Sequence, residues 1–207
     1  MPDSDPSRIF RFGAVILAAG ASTRMGQPKQ LLPFEGQPLV VRAAEAALAS
    51  SAWPVVVVLG ANASAIRQTL AKHPVLIAEN SAWAEGMAAS IRAGVTTLQQ
   101  FSRALEGVLV ALCDQPAFTP AVIERLLAAQ RTTGASIVAA HYLGRNAAPA
   151  LFLREHFSVL ASLTGEEGAR HLLNDDASAG IASVELPELA LDMDTPDDYA
   201  GLLARPE

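Results

Sequence analysis

Residues 55–59 read VVVVL, five apolar residues with none of the polar alternation of a half-exposed strand. A β-branched run of this kind suits a strand covered on both faces, the situation of a parallel sheet packed between helices. Four further strand-like runs, at 12–18, 75–78, 108–112 and 136–140, alternate with helical segments at about 38–50, 64–70, 86–100 and 120–130. The alternation predicts an α/β fold, a single, mostly parallel sheet flanked by helices. Ser64 and Thr119 are the expected N-caps, and Pro120 suits a first helical turn. No repeat or low-complexity linker divides the chain, so residues 8–207 are expected to form one domain behind a disordered tail at 1–7.

Ligands of such sheets bind outside the carboxyl ends of the strands, so the segments that follow strands carry the functional information. After the first strand, residues 17–33 read LAAGASTRMGQPKQLLP. Small residues at a strand end leave backbone amides open to a ligand, and two cations, Arg24 and Lys29, follow within nine residues of Gly20. Arginine grips phosphate oxygens bidentately, and lysine acts as a mobile point charge. A Walker loop requires glycine, four residues, then Gly-Lys-Ser/Thr. Here Gly20 and Gly26 are separated by five residues, and Lys29 is followed by Gln30. The dinucleotide fingerprint requires three closely spaced glycines, of which only Gly20 is in place. What remains is a longer phosphate loop, weighed against an ordinary βα loop with solvated cations.

Composition narrows the partners. A net charge of −6 argues against nucleic acid, whose binders carry a basic surplus. The single cysteine, Cys113, excludes a disulfide scaffold and a cysteine-rich metal site. Apolar stretches too short for a bilayer argue against a membrane span. Proline and aspartate stand where a signal peptide would carry cations, so a cytoplasmic protein is expected. A chain of 207 residues is long enough for a substantial core.

Asp114 follows the run 107–112 and should stand at the rim of the sheet, with Pro116 stiffening the turn. A carboxylate beside a triphosphate is repelled unless a divalent cation lies between them; Mg²⁺ takes one or two carboxylates together with phosphate oxygens and waters. A second acidic segment, Asp192-Met193-Asp194-Thr195-Pro196-Asp197-Asp198, lies near the C-terminus. Asp197 and Asp198 read as capping and dipole carboxylates of a terminal helix. For Asp194, an N-cap role and a metal role are equally compatible with its position. Gly86, Met87 and Ser90 open the third helix, where amides could approach a base or ribose. Trp83 reads as a packed aromatic, and the four histidines have no metal-ligand spacing.

Leu17-Ala18-Ala19-Gly20, Arg24-Met25-Gly26 and Lys29 together resemble the signature loop of the MobA/MocA-type nucleotidyltransferases. The resemblance implies a Rossmann-like fold of the nucleotide-diphospho-sugar transferase type. It implies transfer of a nucleoside monophosphate from an NTP to a phosphorylated acceptor, molybdopterin foremost, with release of pyrophosphate and delivery of the product to a molybdoenzyme. Arg24 and Lys29 would be the catalytic cations. Leu17, Ala18, Ala19, Gly20, Arg24, Lys29, Asn80, Gly86, Met87 and Ser90 would bind nucleotide, and Asp114 and Asp194 would hold Mg²⁺ or Mn²⁺, with Asp192 a third candidate. Ala19, where guanylyltransferases carry glycine, favours CTP. On the acceptor side, residues 144–149 (GRNAAP) depart from the family's Gly-Arg-x-Gly-x-Pro at Ala147 and Ala148, and Glu166 replaces an aspartate. These departures leave the acceptor open between molybdopterin and a sugar or polyol phosphate. A regulatory nucleotide-binding module without turnover is the competing reading from another class.

Overall fold

The computed structural model describes residues 10–174, 180–191, 193 and 195–203. Seven strands form one sheet in the order β5-β4-β1-β6-β8-β7-β9. They are β1 (Phe12–Ala18), β4 (Val55–Leu59), β5 (Leu76–Glu79), β6 (Gly107–Leu112), β7 (Ile137–Tyr142), β8 (Arg145–Leu153) and β9 (Ile181–Glu185). A two-stranded ribbon, β2 (Pro33–Phe34) and β3 (Gln37–Pro38), stands apart from it. Within the large sheet β8 alone runs against its neighbours; the other pairings are parallel. The expected mostly parallel sheet is present.

Successive side chains on a strand point to opposite faces, and both faces are buried. Ala14, Ile16, Val55, Val57 and Leu59 pack beneath α1 (Leu39–Leu48), α2 (Ala63–Leu70) and α4 (Pro120–Thr133). Val15, Leu17, Val56 and Val58 pack with Ile91, Val95 and Leu98 of α3 (Met87–Phe101). The short helices α5 (Phe157–Leu160) and α6 (Arg170–Asn174) extend this second layer. All five residues of β4 are buried, as the uninterrupted VVVVL run requires. Helix α3 approaches closely because Gly94 lacks a side chain; a Cβ there would lie 2.3 Å from Cγ1 of Val15.

Two departures from the sequence reading have local causes. Helix α2 begins at Ala63 behind a left-handed Asn62 (φ 61°), which displaces the expected cap Ser64 into the first turn. Thr119 does cap α4, its hydroxyl accepting from the Val122 amide. Strands β8 and β9 were not expected. β8 returns from β7 through Leu143 and Gly144, both at positive φ, the conformation of a two-residue type I′ hairpin turn. At the C-terminus, Thr195 and Asp198 form a reciprocal capping box for α7 (Pro196–Leu203), with bonds of 2.8 and 3.2 Å. Asp198 thus has the capping role read for it. Residues 1–7, Asp192 and Asp194 lie outside the described residues.

Candidate active site

The chain leaves β1 for β4 on one side and later reaches β6 on the other, so the loops after β1 and β6 diverge from adjacent strands. This is a topological switch point, where open α/β sheets form their ligand crevice. A cleft of about 680 Å³ opens there.

Its first wall is the loop after β1. Leu17, Ala18, Ala19, Gly20, Arg24 and Lys29 all line the cleft. The loop is held from behind by Gln30, a fully buried polar side chain. Its amide nitrogen donates to the carbonyls of Gly20 (2.7 Å) and Ala18 (3.3 Å), and its oxygen accepts from the Ser22 hydroxyl at 3.3 Å. The Ser22 oxygen in turn accepts from the Lys29 amide at 3.1 Å. Across a trans peptide the next N–H points opposite to the carbonyl, so pinning these two carbonyls aims the Ala19 and Ala21 amides away from Gln30. Met25 anchors the loop by packing with Leu32, Leu39 and Met193. Gln30 and Met25 carry no functional reading in the sequence, where nothing separates a buried glutamine brace from a solvated one.

The second wall follows β6. Lys29 and Asp114 form an ion pair that joins the two loops, with side chains only 16% and 13% exposed. The other carboxylate oxygen of Asp114, Oδ1, is buried and accepts no hydrogen bond among the described residues. A buried carboxylate oxygen with no hydrogen-bond partner among the described residues, beside a cleft of about 680 Å³, fits a cation ligand. No group of three or more His, Cys, Asp or Glu able to hold a metal occurs among the described residues. Burial, and then the neighbouring Asp114 charge, push the Cys113 thiol up, leaving it a neutral apolar filler.

The third wall is the entry to α3. Gly86 has φ 110° and ψ −171°, and a Cβ there would come within 2.6 Å of Cα of Glu166. Position 86 therefore accepts only glycine without rearrangement. The Met87 amide donates to the Glu166 carbonyl at 3.2 Å, and Arg92 donates to the Leu163 carbonyl at 2.6 Å. Residues 163–168 are thus fastened across the helix entry. Gly86, Met87 and Ser90 line the cleft. Asn80 is not among the lining residues: it is buried, donates to the Ser90 hydroxyl at 3.1 Å and accepts from the Ala82 amide at 3.0 Å. Trp83, expected in the core, instead lines the cleft and is 36% exposed. Gly60 beneath it leaves no room to sink further, since a Cβ at Gly60 would meet Cβ of Trp83 at 2.5 Å.

The far half of the cleft is built from β8 and α6. A register shift between Ala139 and Ala140 bulges β8, and Ala147, Ala148, Ala150, Phe152 and Leu173 form an apolar lining. The Tyr142 hydroxyl donates to the Ala148 carbonyl at 2.9 Å, and the buried Gln115 amide donates to the Tyr142 oxygen at 2.8 Å. Arg145, Arg170, Glu166 and Glu167 are the charged groups of this half. None of the four histidines lines the cleft: His73 meets Glu45, His141 meets Glu185, His156 meets Ser136, and His171 meets Glu167 at its rim.

Known proteins share the domain and its fold. The profile of the MobA-like NTP transferase domain matches residues 14–181. Nicotine blue oxidoreductase of Paenarthrobacter nicotinovorans is 36% identical over 169 residues, covering 77% of this chain and 79% of that protein. Purine catabolism protein PucB of Bacillus subtilis is 30% identical over 200 residues, covering 89% of this chain and 92% of PucB. The crystal structure of Rv0371c from Mycobacterium tuberculosis superposes with a TM-score of 0.81 at 28% identity, covering 95% of this chain and 99% of that one. A second structure of Rv0371c is a complex with manganese, with a TM-score of 0.76 at 27% identity and coverage of 93% and 98%.

Proposed function

The chain belongs to the MobA-like NTP transferase family, and from that premise we propose that it transfers a nucleoside monophosphate from CTP to the phosphate of molybdopterin, releasing pyrophosphate. The observation that carries the proposal is the meeting of Lys29 and Asp114 from two diverging loops at the switch point of the sheet. It supplies a cation for the triphosphate and a carboxylate for a divalent metal at one place. Asp114, with Asp194, would hold Mg²⁺, with Mn²⁺ able to replace it; the metal supplies charge neutralisation on the phosphate oxygens.

A phosphate oxygen of the acceptor attacks the α-phosphorus of the NTP, the α–β bridge bond breaks, and its electrons leave on pyrophosphate. The nucleophile is already anionic near neutral pH, so no general base is needed. The work of the protein is positioning and charge stabilisation. Arg24 and Lys29 stabilise charge on the phosphates, and the amides of Ala19 and Ala21, turned away from Gln30, face them. The entry of α3, with Gly86, Met87 and Ser90, receives base and ribose, and Asn80 positions Ser90. The alanine at position 19 favours CTP on the family pattern.

The acceptor half favours a fused-ring heterocycle over a polyol. Each hydroxyl of a sugar phosphate that loses water needs a hydrogen-bond partner; Ala147, Ala148, Ala150, Phe152 and Leu173 offer carbon to the faces of a fused ring, and Arg145, Asn146, Glu166, Glu167 and Arg170 stand beside them for its polar edge. A sugar or polyol phosphate is the second acceptor class to assay. Hydride transfer, suggested by the name of the Paenarthrobacter relative, lacks a dinucleotide glycine pattern: only Gly20 stands near the strand end. A cytoplasmic nucleotide and cofactor-precursor pool would supply both substrates, and a molybdoenzyme would receive the product.

Pyrophosphate release from CTP with molybdopterin, measured beside a sugar-phosphate panel, tests the reading. Lys29→Ala and Asp114→Ala should each lower turnover by about 10²–10³-fold, the scale of losing a transition-state charge partner, with native circular dichroism retained. Near-wild-type release from either folded variant sinks the assignment.

A further inference from the structure

We infer that Trp83 is a stacking platform for the nucleobase. The inference rests on the reading of the cleft as a nucleotide site and gives it an aromatic wall. Trp83 opens the short helical turn Trp83–Glu85 between β5 and α3, and it is exposed where it lines the cleft. An indole open to a concave site is a surface for a flat ligand. It cannot withdraw, because a Cβ at Gly60 would lie 2.5 Å from Cβ and 2.7 Å from Cγ of Trp83. The stem of the side chain thus rests on the Gly60 backbone, and the ring is the part left to the cleft. The turn that carries it is braced. The Ala82 amide donates to Asn80 Oδ1 at 3.0 Å, the Glu85 amide to the Ala82 carbonyl at 2.9 Å, and the Gly86 amide to the Trp83 carbonyl at 3.2 Å. Arg92 of α3 pairs with Glu85 at 2.8 Å.

Sheet order decides which part of the ligand meets the indole. Trp83 follows β5 and stands over Gly60, which follows β4; both strands lie on one side of β1. The apolar far half, on β8, lies on the other side, beyond β6. Gly60 also adjoins the phosphate loop, since the Ala61 amide donates to the Ala19 carbonyl at 3.0 Å. A triphosphate held by Arg24 and Lys29 therefore has its flat end within the reach of Trp83, and the acceptor is on the opposite side. Stacking needs only a π-face, and losing one such stack weakens binding about tenfold or more. A ring fixed on a braced turn also has little freedom left to lose when the base arrives.

Calorimetry and tryptophan fluorescence on the full chain, with CTP and with inorganic tripolyphosphate, each with Mg²⁺, test the platform. Tripolyphosphate has the charge of the nucleotide but no base. Trp83→Leu should weaken CTP binding about tenfold and leave tripolyphosphate affinity unchanged, whereas Trp83→Phe, which keeps a π-face, should retain most of the CTP affinity. The fluorescence arm needs no change at Trp83. The chain has two tryptophans, and Trp53 precedes β4, at the opposite end of that strand from Gly60, edge-on to Phe101. Trp53→Phe therefore leaves Trp83 as the reporter, and CTP should quench its emission saturably. A folded Trp83→Leu that binds CTP as wild type does, or CTP binding that saturates without changing Trp83 emission, overturns the platform and leaves the nucleotide reading standing. Equal losses of CTP and tripolyphosphate affinity in Trp83→Leu would make Trp83 a prop of the phosphate loop and also overturn it. Wild type that binds neither ligand overturns the nucleotide reading and the platform together.

Discussion

At the scale of single residues, the site depends on side chains that face away from the ligand as much as on those that face it. Gln30 is the clearest case. Its amide bonds the carbonyls of Ala18 and Gly20, and its oxygen receives Ser22. Replacing it with leucine preserves bulk but leaves two carbonyls without a donor. A buried polar group that loses its partner costs about 1–3 kcal/mol, and the two carbonyls share a loop that can relax. Gln30→Leu should therefore lower the free energy of unfolding by that order, read by chemical denaturation. It should also raise KM for the nucleotide more than it lowers kcat, because the loop amides lose their set orientation before chemistry begins. An unchanged KM would remove Gln30 from the binding apparatus. Lys29 and Asp114 could be picked out of the sequence because they stand in the segments that follow strand ends, and the parallel fold dictates where strand ends gather. Gln30 could not: nothing about a glutamine in sequence distinguishes a buried brace from a solvated side chain, and only the carbonyls it meets reveal its task.

Among secondary-structure elements, the entry of α3 links the two halves of the cleft. Gly86 adopts φ 110° against the Glu166 backbone, and the Met87 amide is taken by the Glu166 carbonyl. Gly86→Ala must either hold a backbone conformation open essentially to glycine alone, at about 1–3 kcal/mol, or push residues 163–168 away. The second outcome is expected, because a segment fastened by a few hydrogen bonds yields more readily than a helix packed on the sheet. Hydrogen exchange should show faster exchange at 163–168 and at Met87, with the amides of β1 and β4 unchanged. Uniform loss of protection would mean that the helix, not the segment, had given way. The elements themselves were unevenly legible. The central strands β1, β4 and β6 announce themselves because burial on both faces demands continuous apolar sequence. β8 does not, since it opens with Arg145 and Asn146, carries Pro149, and is reached by a Leu143-Gly144 turn in place of the asparagine-glycine that usually marks such hairpins. β9 alternates half-buried and exposed residues at the sheet edge, a pattern that five residues cannot separate from coil. The far half of the cleft rests on β8, which is why its geometry was the part hidden from sequence.

For the whole molecule, the question is whether nucleotide binding is felt by the fold as one unit. Both layers of the core share the strands that end at the cleft, with β1 contributing alternate residues to each. A ligand that bridges the loops after β1 and β6 therefore opposes separation of the two central strands, and with them the global transition. Ligand present at about 100 times its Kd adds roughly 2.7 kcal/mol to stability. For a domain of this size that corresponds to a rise in Tm of about 5–10 °C. A panel of CTP, GTP, ATP and UTP, each with Mg²⁺, should give this shift in a single transition for CTP and a much smaller one for the others. A shift confined to GTP would overturn the inference drawn from Ala19 while leaving the phosphate site intact, because the triphosphate and metal are common to all four. Equal shifts for all four would place the binding energy in the phosphates and leave the α3 entry without a role in choosing the base. Lys29→Ala should abolish the shift whichever base is favoured, since the lysine meets only the part of the ligand that the nucleotides share.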